Sequence, residues 1–126
     1  MNYETVIGIE IHCELKTKTK MFSSAPVSFG EVANTCVKEI DLGHPWCLPG
    51  VNKEAVRLAI KAATALHCEI DPVVRFDRKN YYYSDLPKGF QITQQFHPIG
   101  SGCYVEIETE EGKKKIRLNR MHMEED

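Results

Sequence analysis

What this sequence lacks already narrows its function. In 126 residues no apolar run approaches the ~18 residues of a membrane-spanning helix. The opening Met1-Asn2-Tyr3-Glu4-Thr5 has none of the basic character of a secretory leader, so a soluble, intracellular chain without membrane contact is expected. Charge of one sign is also missing. A formal net charge of -2 leaves no overall electrostatic footprint for nucleic acid, so any RNA contact must be local or made elsewhere. No internal repeat or low-complexity tract appears. No G-x-x-x-x-G-K-[ST] loop is present either, so a nucleotide would need an unconventional site. Five cysteines (Cys13, Cys36, Cys47, Cys68 and Cys103) stand at wide, irregular intervals. An odd count without a close pair speaks against a disulfide framework or a zinc knuckle, and free, buried thiols are expected.

What is present fits one domain. An apolar fraction of 42% is enough for a packed core. The most telling segment is Val6-Ile7-Gly8-Ile9-Glu10-Ile11-His12-Cys13-Glu14-Leu15. Read as a strand, it puts Ile7, Ile9, Ile11, Cys13 and Leu15 on one face and Gly8, Glu10, His12 and Glu14 on the other. Two carboxylates and an imidazole on one face suit a hard divalent cation such as Mg²⁺. The same alternation also describes an amphipathic strand whose polar face meets water. Lys16, Lys18 and Lys20 continue one parity, as a solvated strand end or as a phosphate contact.

Met21 to Gly50 is punctuated by Pro26, Gly30, Gly43, Pro45, Pro49 and Gly50 and reads as a long loop, a length often kept for function. Asn52 then caps a helix with Glu54 in its first turn. Ala55, Leu58, Ala59, Ala62 and Leu66 form its apolar stripe, widened by Val56, Ile60 and Ala63. Beyond Pro72 strands return around Val73-Val74 and Phe76, and again over Phe90 to Phe96. A hairpin follows, Tyr104 to Glu108 and Lys115 to Met121, with Glu111-Gly112 at its turn. Hairpins outnumber βαβ units. The expectation is an α+β fold, a largely antiparallel sheet packed by one main helix.

Two further segments are denser in function than a scaffold needs. Asp77 to Gln91 carries Arg78, Lys79, three tyrosines (Tyr81, Tyr82 and Tyr83) and Lys88, cations and rings suited to phosphate and base. Arg120-Met121-His122-Met123-Glu124-Glu125-Asp126 sets three acids beside a histidine. Strict strand parity puts Glu124 on the face of His122 and Glu125 on that of Met121 and Met123. A charged, frayed chain end is the plainer alternative.

Taken together, these three segments resemble the B subunit of the tRNA-dependent amidotransferases. Phe22-Ser23-Ser24-Ala25-Pro26, Asn34-Thr35 and Leu48-Pro49-Gly50-Val51-Asn52-Lys53 match as well, so the resemblance covers nearly the whole chain. It implies that residues 1–126 are the N-terminal portion of a cradle-type catalytic domain. That domain would continue past Asp126, with helical and tail tRNA-binding domains absent here. The implied reaction uses ATP and Mg²⁺ to phosphorylate the side-chain carboxylate of mischarged Glu-tRNA(Gln) or Asp-tRNA(Asn). Ammonia from a glutaminase partner, the A subunit, then gives the amide, while the C subunit braces the assembly. The location implied is cytoplasmic, or an organellar matrix in a eukaryote.

By the same resemblance, Glu10, His12 and Glu125 correspond to metal-site residues, with Glu124 beside them. Catalytic roles fall to Glu10, His12, Lys79 and Glu125, and nucleotide or substrate contacts to Arg78, Lys79, Tyr81 and Lys88. Many relatives carry zinc-binding cysteine pairs where this chain has Ser23-Ser24 and the single cysteines Cys36 and Cys47, so no structural zinc is expected. The isolated chain is expected to be inactive. The competing reading is a non-catalytic metal-binding or scaffold fragment of the same fold.

Overall fold

The computed structural model describes residues 1–84 and 86–125. Helix α1 spans Lys53–Ala65. Five strands follow: β1 (Glu69–Ile70), β2 (Asp77–Asn80), β3 (Phe90–Thr93), β4 (Gly100–Thr109) and β5 (Gly112–Met121). Every pairing is antiparallel. One sheet has the order β1-β4-β5, and β2-β3 form a separate ribbon. This is the α+β architecture expected from the pattern of hairpins and one helix.

Helix α1 starts where its cap dictates. Asn52 Oδ1 accepts the amides of Glu54 (2.9 Å) and Ala55 (3.3 Å), two of the donors a helix start leaves unpaired. Its Nδ2 donates to the Thr19 carbonyl (3.1 Å) and hydroxyl (2.9 Å), so the cap also fastens the long loop to the helix. Ala55, Ala59 and Ala63 are buried at intervals of four, and small side chains on that line allow close packing. The core gathers Ala55, Ala59, Ile99 and Met123, with Val56, Ile70, Phe76 and Met121 packed against them. Replacing Asn52 by alanine should lower the domain's stability by about 1–2 kcal/mol, measured as a shift of its urea unfolding midpoint with unchanged slope.

Three expectations need correction. Val6 to Leu15 lies outside any helix or strand, and Ile7, Ile9 and Ile11 are 79%, 86% and 82% exposed. Alternation says which side chains share a face, but a strand needs a neighbour to take its backbone hydrogen bonds. No strand among the described residues pairs with this segment. The hairpin loop is Glu110-Glu111, one residue earlier than expected, because Thr109 pairs with Gly112. Gly112 carries the positive φ of +114° just after the loop. The strand expected over Phe90 to Phe96 stops at Thr93.

The cysteines also differ from expectation. Cys68 and Cys103 form a disulfide across a sequence separation of 35. The register Glu69↔Ser101 brings these neighbourhoods side by side, which spacing along the chain does not report. Cys13, Cys36 and Cys47 are free. The stretch from 21 to 50 holds no helix or strand, only the single bridge Thr19↔Pro26 at its start.

Candidate active site

Two polar clusters form around the segment that leaves β5. In the first, Glu124 lies between two histidines. Its Oε1 stands 3.7 Å from His12 Nδ1, and its Oε2 is 3.2 Å from His122 Nε2. The other nitrogen of the His12 ring, Nε2, faces Glu10 Oε1 at 4.0 Å. Residues from opposite ends of the chain thus meet. Glu10 and His12 ride on the exposed N-terminal segment, while His122 and Glu124 are half-buried.

The donor types suit a hard divalent cation, but their placement does not let one ion take all three. The carboxylates of Glu10 and Glu124 face opposite nitrogens of one imidazole, and a ring gives a single ion only one of them. Among the described residues no three histidine, cysteine or acidic side chains gather closely enough to hold a metal.

The second cluster centres on Glu125, whose carboxylate turns away from His12. One oxygen accepts from Lys88 Nζ (2.6 Å) and the other from the Ile92 amide (2.7 Å). Its backbone N–H donates to the Ile92 carbonyl (3.1 Å), and its carbonyl accepts from Gln91 Nε2 (2.5 Å). The chain beyond β5 is thus laid along β3. Lys88 and Glu125 keep side-chain exposures of only 9% and 18%, so this ion pair is well shielded from solvent.

The remaining residues singled out from the sequence sit on the β2-β3 ribbon. Lys79 pairs in register with Gln91, and Arg78 with Ile92. The Arg78 guanidinium lies 4.4 Å from the Phe90 ring centre, a cation–π contact. The half-buried Tyr81 donates its amide to the Gly89 carbonyl (3.2 Å) and meets Tyr83 edge-on at 5.4 Å. Lys79, like Arg78, is exposed and makes no ion pair among the described residues. It has no ring contact among them of the kind that engages Arg78, so its ammonium is open to an anion. The structure therefore joins Glu10, His12 and Glu124, joins Lys88 to Glu125, and leaves Lys79 and Tyr81 outside both clusters.

Sequence reasoning gave no role to two residues that the geometry brings forward. His122 touches Glu124, and its place beside the acids was a visible signal. Gln94 is fully buried, and nothing in the local pattern marks it. Within the long loop, Ser23 Oγ donates to Asp41 Oδ2 (2.8 Å), while Cys36 Sγ stands 2.9 Å from Ser28 Oγ.

Comparison with known proteins gives the family. Residues 5–126 match the family model described as the GatB/GatE catalytic domain. Over 125 residues the chain is 60% identical to the aspartyl/glutamyl-tRNA(Asn/Gln) amidotransferase B subunit of Mycoplasmopsis agalactiae. Over 126 residues it is 56% identical to the protein of the same name from Bacillus pumilus. These alignments take in 99% and 100% of the chain but 26% of each relative.

Proposed function

The chain belongs to the GatB/GatE catalytic domain family, and from that premise we propose that it is the N-terminal portion of the catalytic domain of an ATP-dependent, tRNA-linked amidotransferase. The substrates are Glu-tRNA(Gln) or Asp-tRNA(Asn), and the cofactors are ATP and Mg²⁺. The partners are the A and C subunits, the first a glutaminase and the second a brace. The enzyme works where translation occurs, in the cytoplasm or an organellar matrix. No helix among the described residues is long and apolar enough to cross a membrane.

The chemistry explains why ATP is needed. A carboxylate is a poor acceptor for ammonia. Transfer of the γ-phosphoryl group to the side-chain carboxylate gives an acyl phosphate and ADP. Ammonia then attacks the acyl carbon, and inorganic phosphate leaves with the bonding pair as the amide forms. Mg²⁺ would supply charge neutralisation on the phosphoryl group; as placed, Glu10, His12 and Glu124 cannot all take one ion.

The observation that carries the reading is the meeting of Glu10 and His12 with Glu124. It places acid and imidazole groups from both ends of the chain at one locus, beside a ribbon that offers Lys79 to an anion. Glu125, committed to Lys88 and Ile92, supports the strand next to that locus.

The test measures ADP formed from ATP when mischarged Glu-tRNA is added to the full-length protein assembled with the A and C subunits. Turnover that depends on Glu-tRNA is expected, and Glu10→Gln should lower it by about tenfold or more. An assembly that makes no ADP in response to either Glu-tRNA(Gln) or Asp-tRNA(Asn) would transfer the assignment to the scaffold reading.

A further inference from the structure

Gln94, immediately after β3, is 0% exposed, and both ends of its amide are in use. Nε2 donates to the Arg75 carbonyl at 3.0 Å. Oε1 accepts two backbone amides, Ile99 at 3.1 Å and Met123 at 3.0 Å. One side chain therefore ties the approach to β2, the entry to β4 and the segment leaving β5.

The third tie matters most. β5 ends at Met121, so its ladder no longer holds the residues that follow. Met123, 3% exposed, is held by its amide to Gln94. Two residues on, the amide of Glu125 is held to the Ile92 carbonyl. Between these two anchors Glu124 is directed outward, with one carboxylate oxygen toward His12. No residue of similar size repeats the arrangement: methionine lacks donor and acceptor, and glutamate loses the donor unless protonated.

We infer that Gln94 is a positioning residue, whose amide, by holding Met123, aims the Glu124 carboxylate at His12. The inference rests on the reading that Glu124 and His12 belong to the reaction site.

The test is a double-mutant cycle on the full-length assembly, comparing Gln94→Met, Glu124→Gln and both together by Glu-tRNA-dependent ADP formation at saturating ATP. Each single variant should slow turnover by about tenfold or more, and the double variant should be no slower than Glu124→Gln alone. If the two losses multiply, Gln94 acts through general structure and the inference fails. It also fails if Gln94→Met turns over normally while Glu124→Gln is slow. Normal turnover in Glu124→Gln removes the site reading and the inference with it. Should Gln94→Met not assemble, Gln94→Asn, whose shorter side chain draws the amide away from Met123, takes its place. A loss that disappears in the Glu124→Gln background then supports positioning, and unimpaired turnover or a loss that multiplies overturns it.

Discussion

Replacing Lys88 by methionine lowers the domain's stability by about 3 kcal/mol, whereas Lys88→Met combined with Glu125→Gln recovers a large part of the loss. The reason is an asymmetry between breaking and deleting a shielded ion pair. At 9% and 18% side-chain exposure, neither charge can fall back on water. Methionine fills the volume of the lysine stem but strands the Glu125 carboxylate, which then has the Ile92 amide as its remaining partner. Changing Glu125 to glutamine removes the stranded charge and keeps an acceptor for that amide. Urea unfolding of the four variants in the full-length protein measures the cycle. If Lys88→Met costs no more than an exposed surface pair, under about 1 kcal/mol, the pair is solvated and its role in fixing the segment after β5 is lost.

Reduction of the Cys68–Cys103 bond, or Cys68→Ser, is expected to cost about 4 kcal/mol. That figure follows from the chain entropy released when a loop closed across 35 positions is opened. The loop contains β1, β2 and β3, so the bond joins the residues after α1 to β4 around the ribbon that carries Lys79 and Glu125's anchor. Mass measurement of the intact chain, with thiols alkylated before reduction, counts the free cysteines. Three are expected, Cys13, Cys36 and Cys47, together with a fall in melting temperature when dithiothreitol is added. Five alkylated thiols, and a melting curve indifferent to reductant, would contradict the pairing.

How much of this was legible in the sequence depended on whether the determining interactions were local. Helix α1 was, because Asn52, Glu54 and the alanine stripe lie within a few turns of one another. The hairpin and its turn were legible, the turn to within a residue, because the alternation is local. The slip came from placing Gly112 in the loop instead of after it, and β4 and β5 begin four and three residues before the expected Tyr104 and Lys115. Val6 to Leu15 shows the limit: its faces could be read, but a strand is made by its neighbour. The same holds at the site. Parity placed Glu124 with His122, and they lie 3.2 Å apart. The attachment of Glu125 to Lys88 and the three-way tie of Gln94 depend on contacts between distant segments, and no periodicity encodes them. The disulfide was misjudged for the same reason, since an antiparallel return erases sequence distance.

The β4-β5 ladder has a consequence for how this surface meets a polyanion. Lys113-Lys114-Lys115 is the most basic run in the chain and would suggest a landing strip for a nucleic-acid backbone. The register sets Lys113 opposite Glu108 and Lys115 opposite Glu106, on one face of the ribbon. Lys115 Nζ also rests 3.7 Å from the centre of the Tyr104 ring. Opposite charges this close cancel well within a Debye length of about 8 Å at physiological salt. Seen from an approaching phosphate chain, the hairpin is nearly neutral, its basic run offset by the acids across the ladder.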